Sequence, residues 1–219
     1  MSAKEPSQRR RRANGEESRH RILDAATEIA GERGYEGTSI ALVSERSGLP
    51  ASSIYWHFKD KDALIAAVIE RSFGRWLVGA GAWVPPREDA TREELMVAMM
   101  QQTAKALFDA PDFLRLGLML ALERRPEEPS ARTMFLRTRD EAHRRTVASY
   151  RELFGELDAA AVRDLATFTM AMADGLFVAK EIDGDAVDLL GQFETLSAAV
   201  LAAADHLATR SKHSRKWAR

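Results

Sequence analysis

The chain has 219 residues, a net charge of −1 at pH 7 and no cysteine. The lack of cysteine excludes disulfides, thiol nucleophiles, cysteine-ligated zinc and iron–sulfur clusters. The charge is uneven, because residues 1–12 carry +4 and residues 210–219 carry +5, which leaves −10 for residues 13–209. Since an acidic body repels phosphates, a nucleic-acid site has to be local and near an end of the chain.

The sequence contains no stretch that predicts a membrane span. The longest run without a charged residue is the 12-residue segment from Ser47 to Phe58, and it contains a proline and three serines. A span needs about 20 apolar residues. The arginines from Arg9 to Arg12 are not followed by an apolar segment, so they do not indicate a secretory signal. We therefore expect a cytoplasmic protein with no membrane partner.

The first 85 residues combine a basic segment with four predicted helices. Residues 1–14 are polar and lack periodicity, which predicts a disordered basic arm. Apolar residues at the 3, 4, 7, 8 spacing of one helix face then predict a first helix, which Asn14 caps and Gly34 ends. The predicted helices run from about Glu16 to Gly34, from Thr38 or Ser39 to about Ser47, over 51–58, and from an Asp60 cap to a point before Pro85.

The rest of the chain also predicts helices and no strands. Proline and glycine breakers separate the periodic segments, at Pro111, Pro126, Pro129, Gly155 and the Asp183-Gly184-Asp185 turn. The predicted segments are 91–109, 112–124, 130–154, 159–182 and 186–208. The fold class predicted is therefore all-α, with about nine helices.

The second and third helices have the spacing of a helix–turn–helix, which alone is a weak signal. The residues of the third helix are a stronger indication. At 100° per residue, Ile54 and Phe58 make one buried stripe, and Tyr55 and Trp56 point about 120° away from it. Large exposed aromatics call for something that covers them, and hydroxyls with aromatics suit a helix in the DNA major groove. The alternative is that Tyr55 and Trp56 pack beneath a neighbouring helix.

The run from Arg19 to Phe73 resembles the N-terminal domain of the tetracycline-repressor (TetR) family of transcription regulators. The resemblance depends on residues 34–39, the Gly48 turn and the sequence Ile54-Tyr55-Trp56-His57-Phe58 with the lysines that follow it. After about residue 80, only the architecture is similar. The resemblance implies a helix–turn–helix domain over 15–62, a ligand-binding and dimerisation domain over 63–209, and a basic tail over 210–219.

The resemblance also implies which residues contact DNA. Ala51 and Ser52 lie near base edges, Ser53, Tyr55 and His57 bond phosphates, and Trp56 packs on the backbone or a thymine methyl group. Because relatives often carry longer polar residues at positions 50 and 51, DNA shape supplies more of the specificity here. The implied DNA contacts are Thr38, Ser39, Ala51, Ser52, Ser53, Tyr55, Trp56, His57 and Lys61.

Methionine and aromatic residues are frequent after residue 75, which suits either an ordinary core or an adaptable cavity for a hydrophobic ligand. The candidate pocket residues are Trp76, Trp83, Met100, Phe108, Met119, Met134, His143, Phe168 and Met172.

The last two predicted helices are apolar over more than one stripe, which favours an antiparallel pair that meets its symmetry mate in a four-helix bundle. The candidate dimer residues are Leu165, Met172, Gly175, Leu176, Phe193, Leu196 and Val200.

No metal-ligand spacing, phosphate-binding loop or nucleophile–base arrangement is present, so we predict no metal, no cofactor and no enzymatic activity. The predicted function is a homodimeric repressor that binds a pseudo-palindromic DNA operator and is released by a small hydrophobic effector. Two alternatives stay open. One is a helical carrier for a lipophilic molecule without a DNA-binding role, and the other is an enzyme whose N-terminal helices merely support the fold.

Overall fold

The computed structural model describes residues 5–80, 87, 89–122 and 130–217, and the side chains of residues 13–78, 87, 89–122 and 130–210. Trp83, Pro85, Pro126 and Pro129 lie outside these ranges. Within them the chain forms nine α-helices and no strand, so the all-α prediction is confirmed. The helices are α1 (Glu5–Gly37), α2 (Ile40–Ser47), α3 (Ala51–His57), α4 (Lys61–Ala80), α5 (Arg92–Asp109), α6 (Asp112–Leu122), α7 (Ser130–Leu153), α8 (Ala159–Asp183) and α9 (Leu189–Trp217).

The helices belong to two compact units. The first unit comprises Met1–Gly74 and Asp112–Arg137, and the second comprises Arg75–Pro111 and Thr138–Arg219. The first unit therefore contains α6 and the start of α7 in addition to the helix–turn–helix. The domain boundary expected after residue 62 follows the family resemblance and stays a prediction.

Helix α1 begins at Glu5, so the start predicted at Glu16 is wrong, whereas the disorder predicted for the basic arm stays a prediction. Arginine, glutamine and alanine are good helix formers, and proline suits a first turn, as at Pro6. Extending an existing helix adds a hydrogen bond per residue, so such a segment continues it readily. Asn14 lies inside the helix, where its carbonyl accepts a hydrogen bond from the Ser18 hydroxyl at 2.8 Å.

Gly34 ends the regular part of α1, as predicted. Its φ of 68° lies in the left-handed region, which favours glycine. The position is also crowded, because a Cβ there would lie 2.7 Å from Cε of Met119 on α6. Backbone conformation and close packing therefore both require glycine at the end of α1.

The core of the first unit takes residues from each helix in it. Ile54 is the buried residue of α3, and α6 contributes Phe113, whose ring lies between those of Phe73 and Phe135 at centroid distances of 5.1 and 5.5 Å. A Cβ on Gly117 would overlap the Phe135 ring, so α6 approaches α7 closely. This core also includes the buried residues Ile22, Leu23, Ile29, Val43, Phe58, Leu64, Ile65, Val68, Ile69, Leu114, Leu116 and Leu120.

The second unit packs α5, α8 and α9 around a core that includes Tyr150 of α7. The Tyr150 hydroxyl lies 2.9 Å from the hydroxyl of Thr169 on α8, and burial raises the pKa of Tyr150 to about 12. On the same pair of helices, Arg139 forms a two-bond ion pair with Asp174. Partial burial raises the pKa of Asp174, while hydrogen bonding and the charge of Arg139 oppose that rise.

The side chain of Asp62 joins three elements of the first unit. It lies in the first turn of α4 and accepts hydrogen bonds from the backbone N–H groups of Ser130 (2.6 Å) and Ala131 (3.1 Å), the first residues of α7. The Ser130 hydroxyl and the Tyr35 hydroxyl also donate to it. Asp62 therefore caps α7 from another helix. Burial raises its pKa, but the bonds from Ser130, Ala131 and Tyr35 outweigh burial and lower the pKa overall.

We predict that Asp62→Ala lowers the free energy of unfolding by about 1–2 kcal/mol at pH 7, the usual loss for a helix cap. Because the pKa of Asp62 is lower in the folded state, its contribution is complete above the unfolded-state pKa of about 4 and disappears as pH falls through the folded-state pKa. Urea unfolding at pH 7 and near pH 3 measures both effects. Asp205→Asn, on the exposed face of α9, is the control. An equal loss at both pH values would contradict the assignment.

Candidate nucleic-acid interface

Helix α3 presents two different faces, and this division creates the candidate site. Ile54 is fully buried, and Phe58 directly after the helix is nearly so. On the other side, Tyr55 is 56% exposed and Trp56 is 76% exposed. The exposed aromatics predicted from the sequence are therefore confirmed, and the alternative that they pack beneath a neighbouring helix is wrong.

Hydrogen bonds fix both ends of α2, and therefore the turn that leads into α3. The Ser39 side chain caps α2 by accepting from the Leu42 N–H at 3.2 Å. Gly48 ends α2 in the left-handed conformation, with φ of 66°. The Arg21 guanidinium of α1 donates to the Ser47 carbonyl at 2.7 Å, so a carbonyl at the C-terminal end of α2 has a charged partner.

A surface recess of about 390 Å³ lies between the first half of α1 and α3. Its walls include Ser52 and Ser53, and the Trp56 ring lies about 3.6 Å from where a Cβ of Gly15 would be. The His57 ring meets Trp56 edge-on, with centroids 4.5 Å apart. The recess therefore combines hydroxyl groups with an indole and an imidazole on one accessible surface.

Basic residues accompany this surface. Lys59, just after α3, is exposed, and the Arg19 guanidinium lies over the Phe58 ring at 5.4 Å. Partial burial, helped by the positive charge of Arg19, lowers the pKa of His57. The lowered pKa favours the neutral imidazole, in which one ring nitrogen can donate a hydrogen bond to a phosphate oxygen.

Of the two residues expected to contact DNA at the start of α2, the structure leaves only one available. Thr38 is buried, and its hydroxyl donates to the Gly34 carbonyl at 2.8 Å, so the prediction of a DNA contact by Thr38 is wrong. A hydroxyl next to a helix end bonds the nearest free carbonyl, and here that carbonyl is in the same turn. Ser39 is the capping residue.

Lys61 has a structural role that the sequence did not reveal. Its ammonium group donates to the Tyr35 carbonyl at 3.2 Å, lies 3.4 Å from the Glu36 carboxylate, and sits 4.3 Å above the Tyr35 ring. The side chain is still partly exposed. A phosphate contact by Lys61 stays a prediction, and such a contact would compete with these bonds.

The predicted pocket residues that the structure describes are divided between the two compact units, and Trp83 is outside the described residues. Met119 and Met134 lie in the first unit, and Met119 packs on Gly34. In the second unit Met100 is buried in the core, whereas Phe108 is 69% exposed. His143 is half-buried and bonds the Thr167 hydroxyl at 3.1 Å. The methionines of α5 fill the core, which was the alternative to a cavity. Trp76 is half-buried, and Phe168 and Met172 are exposed.

The predicted dimer residues divide into two groups. Leu165, Phe193, Leu196 and Val200 are buried within one chain, so their assignment to a dimer surface is wrong. The apolar stripe of α9 that contains the last three packs on its own α5 and α8 instead. Of the others, Met172 and Gly175 are exposed and Leu176 is half-buried. The sequence shows that these helices are apolar on two sides, but not which side a partner chain would cover.

Among the residues that the structure describes, no three His, Asp or Glu side chains form a group that could hold a metal ion. In the same ranges, none of the helices combines the length and the apolar character that crossing a bilayer requires.

Comparison with known proteins identifies the first unit. The family described as "Bacterial regulatory proteins, tetR family" matches residues 22–68, which include α2 and α3. The HTH-type transcriptional regulator AcrR of Shigella flexneri is 34% identical over 64 residues, 29% of this chain and 30% of that protein. The HTH-type transcriptional repressor KstR2 of Mycolicibacterium smegmatis is 26% identical over 111 residues, 43% of this chain and 54% of that protein. The matched segments thus span about a third to a half of these relatives.

Solved structures resemble the chain over most of its length. The fatty acid degradation regulator FadR from Bacillus halodurans aligns with a TM-score of 0.67 at 17% identity, covering 84% of this chain and 94% of that one. FadR from Bacillus subtilis, solved in complex with stearoyl-CoA, aligns with a TM-score of 0.65 at 17% identity, covering 84% and 98%. At such identities the likeness shows a shared fold.

Mutations on the two faces of α3 are expected to change the free energy of unfolding by very different amounts. Ile54→Ala removes a fully buried side chain and is expected to lower the free energy of unfolding by about 2–5 kcal/mol. Trp56→Ala removes a larger side chain from an exposed position and is expected to change it by less than about 0.5 kcal/mol. Thermal unfolding followed by circular dichroism compares the two. A large loss in Trp56→Ala would mean that the indole packs against the protein.

Proposed function

The chain belongs to the tetR family of bacterial regulatory proteins, and on that premise we propose that it is a DNA-binding transcriptional repressor which a ligand releases from its operator. The observation that carries the proposal is the exposure of Tyr55 and Trp56 on a helix that Ile54 anchors in the core. Large aromatics in such a position have little value for folding and need a partner surface. The proposed place of action is the cytoplasm, where bacterial operators are.

In the proposed complex, α3 lies in the major groove. Its N-terminal residues face base edges in this docking mode, which places Ala51 and Ser52 there. Ser53, Tyr55 and His57 then donate to phosphate oxygens, and the Trp56 ring packs on the sugar–phosphate backbone or on a thymine methyl group. Because a serine hydroxyl can both donate and accept, Ser52 discriminates weakly, and DNA shape carries the remaining specificity.

The N-terminal extension of α1 supports a second contact. Gly15 lies beside Trp56, and Arg9 to Arg12 precede it on the same helix by about one turn. The four arginines therefore precede, on the same helix, the residues of α1 that border the proposed DNA surface. We propose that they bind phosphates or the adjacent minor groove, where arginine is favoured when that groove is narrow.

A homodimer is the proposed assembly, on a face of α8 and α9 that keeps Met172 from the sequence prediction and leaves out the four predicted residues that are buried. The outer side of α8 is apolar along its length, with Phe168, Met172 and Ile182 all exposed. The small residues Ala199 and Ala202 are exposed on α9. Side chains this small allow close helix approach, and a two-fold axis on this face would build a four-helix bundle.

The alternative of a lipophilic carrier without DNA binding also uses the second unit, but it gives α3 no role. A hydrophobic effector stays part of the proposal. The stearoyl-CoA of the B. subtilis FadR structure belongs to that protein, and it shows that a protein of this fold can hold a large amphipathic ligand.

We expect Trp56→Ala and Tyr55→Ala each to weaken binding to a DNA duplex selected from random sequence by about tenfold, on all sequences alike. Ser52→Ala is expected to change which sequences are selected. Fluorescence anisotropy with labelled duplex at low salt gives the affinities. Phe108→Ala, an exposed aromatic outside the proposed DNA surface, is the matched control. Unchanged affinity in both aromatic variants would contradict the groove model.

We expect Met172→Glu to give a folded monomer, because the side chain is exposed in one chain and buried only in the proposed dimer. Charges placed face to face across the two-fold axis would cost several kcal/mol. Light scattering with circular dichroism measures mass and fold together. Leu122→Glu, exposed on α6, should stay dimeric, and Leu196→Glu should unfold because that residue is in the core. A dimeric Met172→Glu would place the interface elsewhere.

A further inference from the structure

The second unit contains a groove that the proposed DNA and dimer surfaces do not use. It has a volume of about 960 Å³ and lies between α5, the end of α8, the short 3-10 turn Gly184–Ala186 and the first turns of α9. This volume is at the upper end of the range for small-molecule sites. Phe108 and Leu190 line it and are 69% and 53% exposed, so this apolar surface is not covered by the part of the chain that the structure describes.

The charges around the groove are not balanced. Two lysines and four carboxylates line it, which gives a net charge of −2. Lys105 pairs with Asp109 at 2.6 Å. Lys180 lies 3.5 Å from Asp185, so it too is beside a carboxylate. Both lysines are therefore compensated by carboxylates of their own surroundings, and the net charge comes from the two acids that remain.

Those two acids, Asp188 and Glu194, have only neutral partners among the described residues. Asp188 accepts a hydrogen bond from the Gly191 N–H at 3.2 Å, at the start of α9. Glu194 accepts from the side-chain amide of Gln101 at 2.6 Å. Neither lies within salt-bridge distance of a lysine or arginine in the described chain. Two negative charges thus stand beside exposed apolar surface.

We propose that this groove binds an amphipathic organic cation. The apolar part of such a ligand would cover Phe108 and Leu190, and its charge would meet Glu194 and Asp188. A cation over the Phe108 ring would gain further from the negative ring face. The charge distribution opposes an acidic ligand such as an acyl-CoA, whose phosphates would be placed next to the Glu194 carboxylate, which has no cationic side chain beside it, and next to Asp188, which caps the N-terminus of α9. The groove therefore selects ligands by charge as well as by apolar area.

The proposed dimer leaves the groove open. Glu194 and Ala199 are five residues apart on α9, which separates them by about 140° around the helix. Ala199 belongs to the proposed dimer face together with Ala202, which is about 80° from Glu194 around the helix, and the Glu194 side chain accepts a hydrogen bond from Gln101 of α5. A ligand and a partner chain can therefore bind α9 at the same time.

The test uses two nearly isosteric ions of opposite charge, tetraphenylphosphonium and tetraphenylborate, with the full chain in isothermal titration calorimetry. The cation is expected to bind about tenfold more tightly than the anion. Glu194→Gln should weaken binding of the cation about threefold, as the loss of one partly exposed charge would. Phe108→Ala should weaken both ions. Glu93→Gln, an exposed acid on α5 outside the groove, is the matched control and should change neither.

Equal or tighter binding of the anion would overturn the proposal, and so would a cation affinity that neither Glu194→Gln nor Phe108→Ala changes. Glu194 and Phe108 are exposed, so both variants should fold, and circular dichroism checks this. A role of the cation in releasing DNA rests on the proposed function, but binding itself does not. If the cation binds and no duplex does, the groove proposal stands and the repressor proposal fails. If the duplex binds and the cation does not, the repressor proposal stands and the groove proposal fails.

Discussion

The contact of Ile54 with the core is the constraint on which the proposed site depends. A helix of seven residues is unstable in isolation, because nucleation is unfavourable and few hydrogen bonds follow it. Helix α3 persists because Ile54 is fully buried and because the bond from Arg21 to Ser47 and the left-handed Gly48 fix the preceding turn. Once Ile54 is placed, the helical period leaves Trp56 no inward direction. The exposure of the site is thus a consequence of how its helix is anchored.

The Ile54 anchor is part of the first compact unit. Helix α3 shares its core with α4 and α6, and Asp62 connects the first turn of α4 to the N-terminus of α7. The bonds at Asp62 are charge-assisted, which makes them stronger than neutral ones. A surface that reads DNA has to hold its side chains in place before binding, since ordering them on contact would lower the affinity. The packing of Met119 of α6 on Gly34 likewise holds the end of α1 in place within this unit.

Sequence reasoning succeeded where local chemistry decides the structure. The bounds of α2 and α3, the Gly48 turn and the outward aromatics follow from caps, glycine and the helical period. The sequence predictions failed where two faces of a helix have similar residues and only tertiary packing decides which face is buried. Leu196 is on an apolar stripe of a helix with two such stripes, and only the position of α5 shows that this one is internal. Asp62 gave no signal, because the helix end that it caps lies 68 residues along the chain.

The central claim is that α3 enters the major groove in two half-sites of one operator. Dimethyl sulfate methylates guanine N7 in the major groove and adenine N3 in the minor groove, so protection of a duplex selected by the protein distinguishes the two. We predict guanine N7 protection in two half-sites, about one helical turn and roughly 34 Å apart, and we predict that Trp56→Ala gives the same protection only at a protein concentration about tenfold higher. Protection confined to adenine N3, or a single protected half-site, would contradict the account.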